Sequence, residues 1–187
     1  YEDGVKQIPA AAVTVEDAQT LHRLADRGVP VRLQLKLSGE QQGEVPSHNV
    51  LADVTGREFP EEIVLLGCHI DSWDVGQGAQ DDGAGCVMVM EAARLIAALP
   101  NRPRRTVRAV LFTNEENGLA GGRAYAAQHA SEVFNHVAAL EADTGAGEPL
   151  GWRLDIRGGD EESTAILRAD VIGRLSALTD LLEPLGA

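Results

Sequence analysis

The chain has 187 residues, 44% hydrophobic and 24% charged, the make-up of a globular domain with a sizeable core. No apolar run approaches the roughly 20 residues of a membrane-spanning helix. A net charge of −13 excludes the basic face that phosphate neutralisation demands, so nucleic acid is not an expected partner.

Residues 14–27 read as a helix. Thr14 is placed to cap it, Asp17 stands at the capping-box position, and Gly28 closes it ahead of Pro30. Residues 31–37 alternate Val31, Leu33, Leu35 and Leu37 with polar side chains, the pattern of a half-buried strand. A polar loop, 38–47, then forms a hinge between an accessory segment and the main body. Residues 49–54 and 62–67 read as two strands around a turn at Thr55-Gly56-Arg57.

Ile63-Val64-Leu65-Leu66 does not alternate, as expected of a central strand covered on both faces. The composition between His69 and Gly85 shifts to Gly, Asp, Ser and Gln, a loop at the carboxyl end of that strand. Residues 83–99 read as a helix with an apolar stripe of Met88, Ala92, Leu95, Ile96 and Leu99, stopped by Pro100. Residues 105–113 form another apolar strand, followed at once by Glu115 and Glu116. A helix over 119–129 and a strand over 136–142 come next, the strand ending at Asp143. Asp160 caps a last helix with a stripe of Leu167, Val171, Leu175, Leu178 and Leu182. Buried strands separated by helices imply an α/β sandwich with a mainly parallel central sheet.

Parallel strands share the edge where they end, so His69 and Asp71, Glu115 and Glu116, and Asp143 converge there. Asp71 has the same strand parity as His69 and is placed to hold its ring, a pairing that fixes the tautomer of a metal-bound imidazole. His-x-Asp alone is a weak signal. Of the adjacent acids Asp81 and Asp82, which could both be simple caps, the functional reading gives Asp82 to the helix terminus and leaves Asp81 to bridge two cations. Paired glutamates after an apolar strand repel unless a cation or proton compensates. A metal holds one as ligand and leaves the other to take a proton from bound water. Glu141 shares the parity of Asp143 and competes with it as a ligand. Nitrogen and oxygen donors without thiolate suit zinc, ahead of manganese or cobalt. Cys68 points away from His69 and reads as a buried thiol. With Cys86 it makes too few cysteines for a disulfide framework, at a spacing that matches no zinc motif.

The run Gly67-Cys68-His69-Ile70-Asp71-Ser72-Trp73-Asp74-Val75-Gly76-Gln77-Gly78-Ala79-Gln80-Asp81-Asp82-Gly83 closely resembles the metal loop of the carboxypeptidase Q-like branch of the co-catalytic zinc aminopeptidase/carboxypeptidase family. Thr113-Asn114-Glu115-Glu116-Asn117-Gly118 and Glu141-Ala142-Asp143 resemble its next two motifs, in order. The resemblance implies a three-layer α/β sandwich with a mixed, mainly parallel sheet, incomplete at the C-terminus. It implies the tail of a protease-associated insert and its return segment over 1–37, and a truncated catalytic core over 38–187.

For the site, the resemblance implies His69, Asp81 and Asp143 on one zinc, with Asp81 bridging to a second zinc held also by Glu116. Glu115 is then the general base, Asp71 orients His69, and Asp143 is preferred to Glu141. The implied activity is hydrolysis of short peptides from one end, in a secreted or periplasmic setting. The alternatives are glutaminyl-cyclase-type acyl transfer on one zinc, or a non-catalytic interaction module. Cys68, Ile70 and Asn114 depart from the Gly, Leu and Ala usual in the family, all at non-ligand positions. The family's second zinc also takes a late histidine, whereas every histidine here lies at or before His136. A fragment is therefore expected to hold one zinc tightly or none, and to expose apolar surface that favours homo-oligomers.

Overall fold

The computed structural model describes residues 5–6, 8–39, 42–143, 145, 147 and 161–179, and they fall into two units, Tyr1–Pro46 and Ser47–Ala187. In the first unit, helix α1 spans Val15–Asp26. The Thr14 hydroxyl accepts the Asp17 N–H at 3.1 Å, and Glu16 and Asp17 suit the positive end of the helix. Gly28 takes a φ of +68°, a left-handed turn that ends the helix with little cost for glycine. The strand expected over 31–37 does not form. Leu33, Leu35 and Leu37 are exposed, because alternation yields a strand only where a neighbouring strand completes its hydrogen bonds. No strand is present among the described residues of this unit.

The described residues of the second unit form four strands: β1 (Val50–Val54), β2 (Phe59–His69), β3 (Arg105–Phe112) and β4 (His136–Glu141). Their order is β1-β3-β2-β4. β1 runs antiparallel to β3, while β2 is parallel to both β3 and β4. The sheet is mixed and mainly parallel, as expected. β1 and β2, read from sequence as flanking one turn, are not a hairpin, since β3 lies between them. The turn crosses tightly over the start of β3: a Cβ on Gly56 would sit 2.6 Å from the Arg105 carbonyl carbon.

Helices α2 (Gly83–Ala97) and α3 (Ala120–Gln128) cover opposite faces of the sheet, and α4 spans Glu161–Thr179. On one face Cys68 and Ala109 pack against Cys86 and Val89 of α2. On the other, Ile63, Leu65 and Val110 pack against Tyr125 of α3. The apolar stripe expected on α2 is displaced. Met88, Leu95 and Leu99 are exposed, while Gly85, Cys86 and Val89 are buried. Small side chains let this helix approach the sheet, and that choice outweighs the larger hydrophobes. Leu167 and Leu178 of α4 are exposed; its expected cap Asp160 and stripe residue Leu182 lie outside the described residues. Register places His69 beside Phe112 and Gly67 beside Glu141, so three carboxyl ends meet on one edge.

Candidate metal centre

His69 closes β2 and is 1% exposed. Its ring Nδ1 lies 2.9 Å from the Asp71 carbonyl oxygen. A carbonyl only accepts, so Nδ1 carries the proton and donates. Nε2 then faces Asp81 Oδ1 and Asp143 Oδ1, each at 3.1 Å. In the neutral ring that nitrogen offers a lone pair, so each of these contacts sets two electron-rich atoms side by side and calls for a cation, either a second ring proton or a metal. Each contact is near the roughly 3.3 Å at which two donors share a tetrahedral zinc at about 2.0–2.1 Å. The two oxygens, however, fall in separate groups able to share an ion, His69 with Asp82 and Asp143, and His69 with Asp81 and Glu116. Burial alone would lower the imidazole's proton affinity, but the Asp71 carbonyl and the Asp143 carboxylate hold it above the ordinary value.

The two adjacent acids differ in their surroundings. Asp82 is 1% exposed, and both its oxygens are occupied. Oδ1 accepts the Gly85 N–H at 3.0 Å, capping α2, and Oδ2 accepts the His69 N–H at 3.0 Å. It lies within reach of His69 and Asp143 as a third donor, yet its lone pairs are already directed at amides. Asp81 is 63% exposed and turns toward Nε2. Close approach is needed here: a Cβ on Gly85 would lie 2.1 Å from the Ala142 carbonyl oxygen, so only glycine lets the end of β4 deliver Asp143 beside α2. Asp143, and not Glu141, joins His69 in a group able to share an ion.

Beyond β3, Asn114 and Leu119 adopt left-handed backbone, with φ of 56° and 61°, and turn the chain so that both glutamates face the edge. His69, Asp81 and Glu116 form a second group whose donor atoms lie within 4.8 Å of one another. Glu116 Oε1 is buried, and among the described residues it has no hydrogen-bond partner. An orphaned buried carboxylate oxygen beside two other donors fits a divalent cation. Glu115 and Glu116 both hold protons above the ordinary carboxylate range, first through burial and then through neighbouring acids.

Asp71 behaves differently from the expected pairing. Its carboxylate is 3.7 Å from His69 Nδ1, and the backbone carbonyl makes the ring contact instead. Asp71 Oδ1 and Oδ2 accept the backbone N–H groups of Glu115 at 2.9 Å and Glu116 at 3.2 Å. Asn49 was not anticipated at all. Its Oδ1 accepts the Thr113 N–H at 3.0 Å, and its Nδ2 donates to the Gly121 carbonyl at 2.8 Å. These two side chains hold the segment between β3 and α3 from either side. An asparagine before a strand carries no local signal for that task.

Comparison with known proteins agrees with the resemblance drawn from the motifs. The family model described as peptidase family M28 matches residues 49–169. Carboxypeptidase Q of Homo sapiens is 40% identical over 185 residues, 99% of this chain and 37% of the relative. A vacuolar membrane protease of Eremothecium gossypii is 40% identical over 139 residues, 73% of this chain and 13% of the relative. The crystal structure of a peptidase M28 precursor from Shewanella amazonensis SB2B aligns with a TM-score of 0.70 at 46% identity, covering 79% of this chain and 33% of that one. The chain thus spans little more than a third of the carboxypeptidase Q relatives it matches. The motif order, the strand ends that carry it, and a match over most of the chain agree: this chain belongs to peptidase family M28.

Proposed function

We propose that this protein is a zinc-dependent exopeptidase that hydrolyses short peptides by a metal-activated water, with Glu115 as general base. The observation that carries this reading is His69 Nε2, a lone-pair nitrogen that meets a carboxylate oxygen of Asp81 and another of Asp143, each at 3.1 Å. His69, Asp81 and Asp143 would hold one ion. Asp81 would bridge to a second, with Glu116 supplying its otherwise orphaned oxygen. Zinc held there would acidify a water and polarise the scissile carbonyl. Glu115 would serve as the proton acceptor and donor toward the departing amine, a role its partly buried position supports. Asp71 positions Glu115 and Glu116 through their amides and His69 through its own carbonyl.

The family membership supports peptide as the substrate class. The names of the matched relatives, a carboxypeptidase and a protease, favour hydrolysis over glutamine cyclisation. We further propose that 1–37 is the end of an insert and its return to the catalytic core, and that the protein works outside the cytosol. No described helix is long and apolar enough to cross a membrane.

The test is metal content by mass spectrometry together with dipeptide hydrolysis, on the intact protein and on His69→Ala. Zinc in the wild type, lost together with activity in the variant, supports the reading. Peptide hydrolysis that persists in zinc-free protein would exclude it.

A further inference from the structure

The two cysteines take no part in this centre, yet the fold brings them together. Cys68 is the penultimate residue of β2 and Cys86 lies in the first turn of α2. They are 0% and 7% exposed and share one core cluster with Val89 and Ala109. Both are free thiols. Their sulfurs and an Asp82 oxygen all lie within 4.8 Å of one another. Cys86 Sγ donates to the His69 carbonyl at 3.1 Å, and Cys68 Sγ to the Val110 carbonyl at 3.8 Å.

A single buried cysteine acts as a small apolar side chain. Two whose sulfurs approach at the ends of one loop are also the raw material of a cross-link. The loop between them carries His69, Asp71, Asp81 and Asp82. A soft metal on Cys68, Cys86 and Asp82 is the competing use of the cluster. It is disfavoured because both Asp82 oxygens already accept amides.

We propose that Cys68 and Cys86 form a disulfide that closes segment 68–86 into a ring and so fixes the loop that bears the ligands. The oxidant is a low-molecular-weight disulfide such as oxidised glutathione. The thiolate of one cysteine attacks it, forms a mixed disulfide and releases one small thiol. The second cysteine displaces the other small thiol and makes the protein bond. Two cysteine thiols are oxidised, one small disulfide is reduced, and the two cysteine protons end on the released thiols. Because both sulfurs are buried in the fold, exchange takes place before α2 docks on β2. The finished bond is then sheltered from thiols in solution.

The experiment folds the intact protein in a glutathione redox buffer, denatures it in iodoacetamide without reductant, and maps its peptides by mass spectrometry. The expected result is a linked pair of peptides containing Cys68 and Cys86, with neither residue alkylated. Prior reduction in denaturant should leave both alkylated. Alkylation of both residues without reduction overturns the proposal. As a second readout, the oxidised protein should melt roughly 5–10 °C above its reduced form, the gain appropriate to a ring of this size. Cys86→Ala should melt alike in both buffers. Equal midpoints for oxidised and reduced wild type overturn the claim that the bond fixes the loop. Thiol mapping does not depend on metal, so its failure leaves the zinc reading standing, and failure of the zinc reading leaves the bond.

Discussion

Glu115 sits half-buried beside other acids, and its carboxyl is useful only when ionised. Replacing it with glutamine keeps the shape and the backbone contact to Asp71 but removes the proton acceptor. Glu115→Gln should lower kcat by about 10²–10⁴-fold while leaving zinc content unchanged, which steady-state kinetics and metal analysis together check. The pH dependence follows from the same group. Burial, and then Asp143 and the other nearby acids, raise its affinity for a proton above the ordinary 4.5. In metal-free protein Glu115 should therefore stay ionised above the raised value and take up its proton as pH falls through it, above the usual glutamate range. NMR titration of wild type against Glu115→Gln without zinc checks this, and added zinc should shift the transition down. At this scale the sequence was readable where chemistry coincides with a strand end, as at His69 and Asp143. It was opaque where a contact depends on how two strands line up. The amides that Asp71 accepts belong to residues beyond another strand, so parity along β2 pointed to the imidazole instead.

Asp82 ties two elements to one point, the first turn of α2 and the last residue of β2. Its replacement by alanine leaves two buried N–H groups without their acceptor. Asp82→Ala should cost about 1–3 kcal/mol, seen as a lower urea midpoint, and should weaken zinc retention because His69 loses its backbone anchor. Helix and strand identities in the second unit were legible because their caps and apolar runs are strong. The buried face of α2 was not. Counting large hydrophobes located Met88 and Leu95, but the helix docks through Gly85, Cys86 and Val89, whose value lies in the space they leave. Segment 31–37 failed for the converse reason. Its pattern is that of a strand, but no described strand in its unit completes the hydrogen bonds.

The whole chain carries 29 acidic against 16 basic residues, and several of those acids crowd one sheet edge. Without a cation that edge is held together against its own repulsion. A chelator should therefore lower the melting temperature, and added zinc should restore it. The shift corresponds to about 2.7 kcal/mol when free zinc is roughly 100-fold above Kd, and differential scanning calorimetry with and without chelator measures it. The segment bearing both glutamates is held across its two sides by Asn49, which precedes β1, and by Asp71, which follows β2. A turn suspended in this way from two side chains is adjustable like a mirror on two screws. Exchange of a single suspending residue would re-aim Glu115 while every strand stays in place, so selection has a route to new preferences that leaves the scaffold untouched.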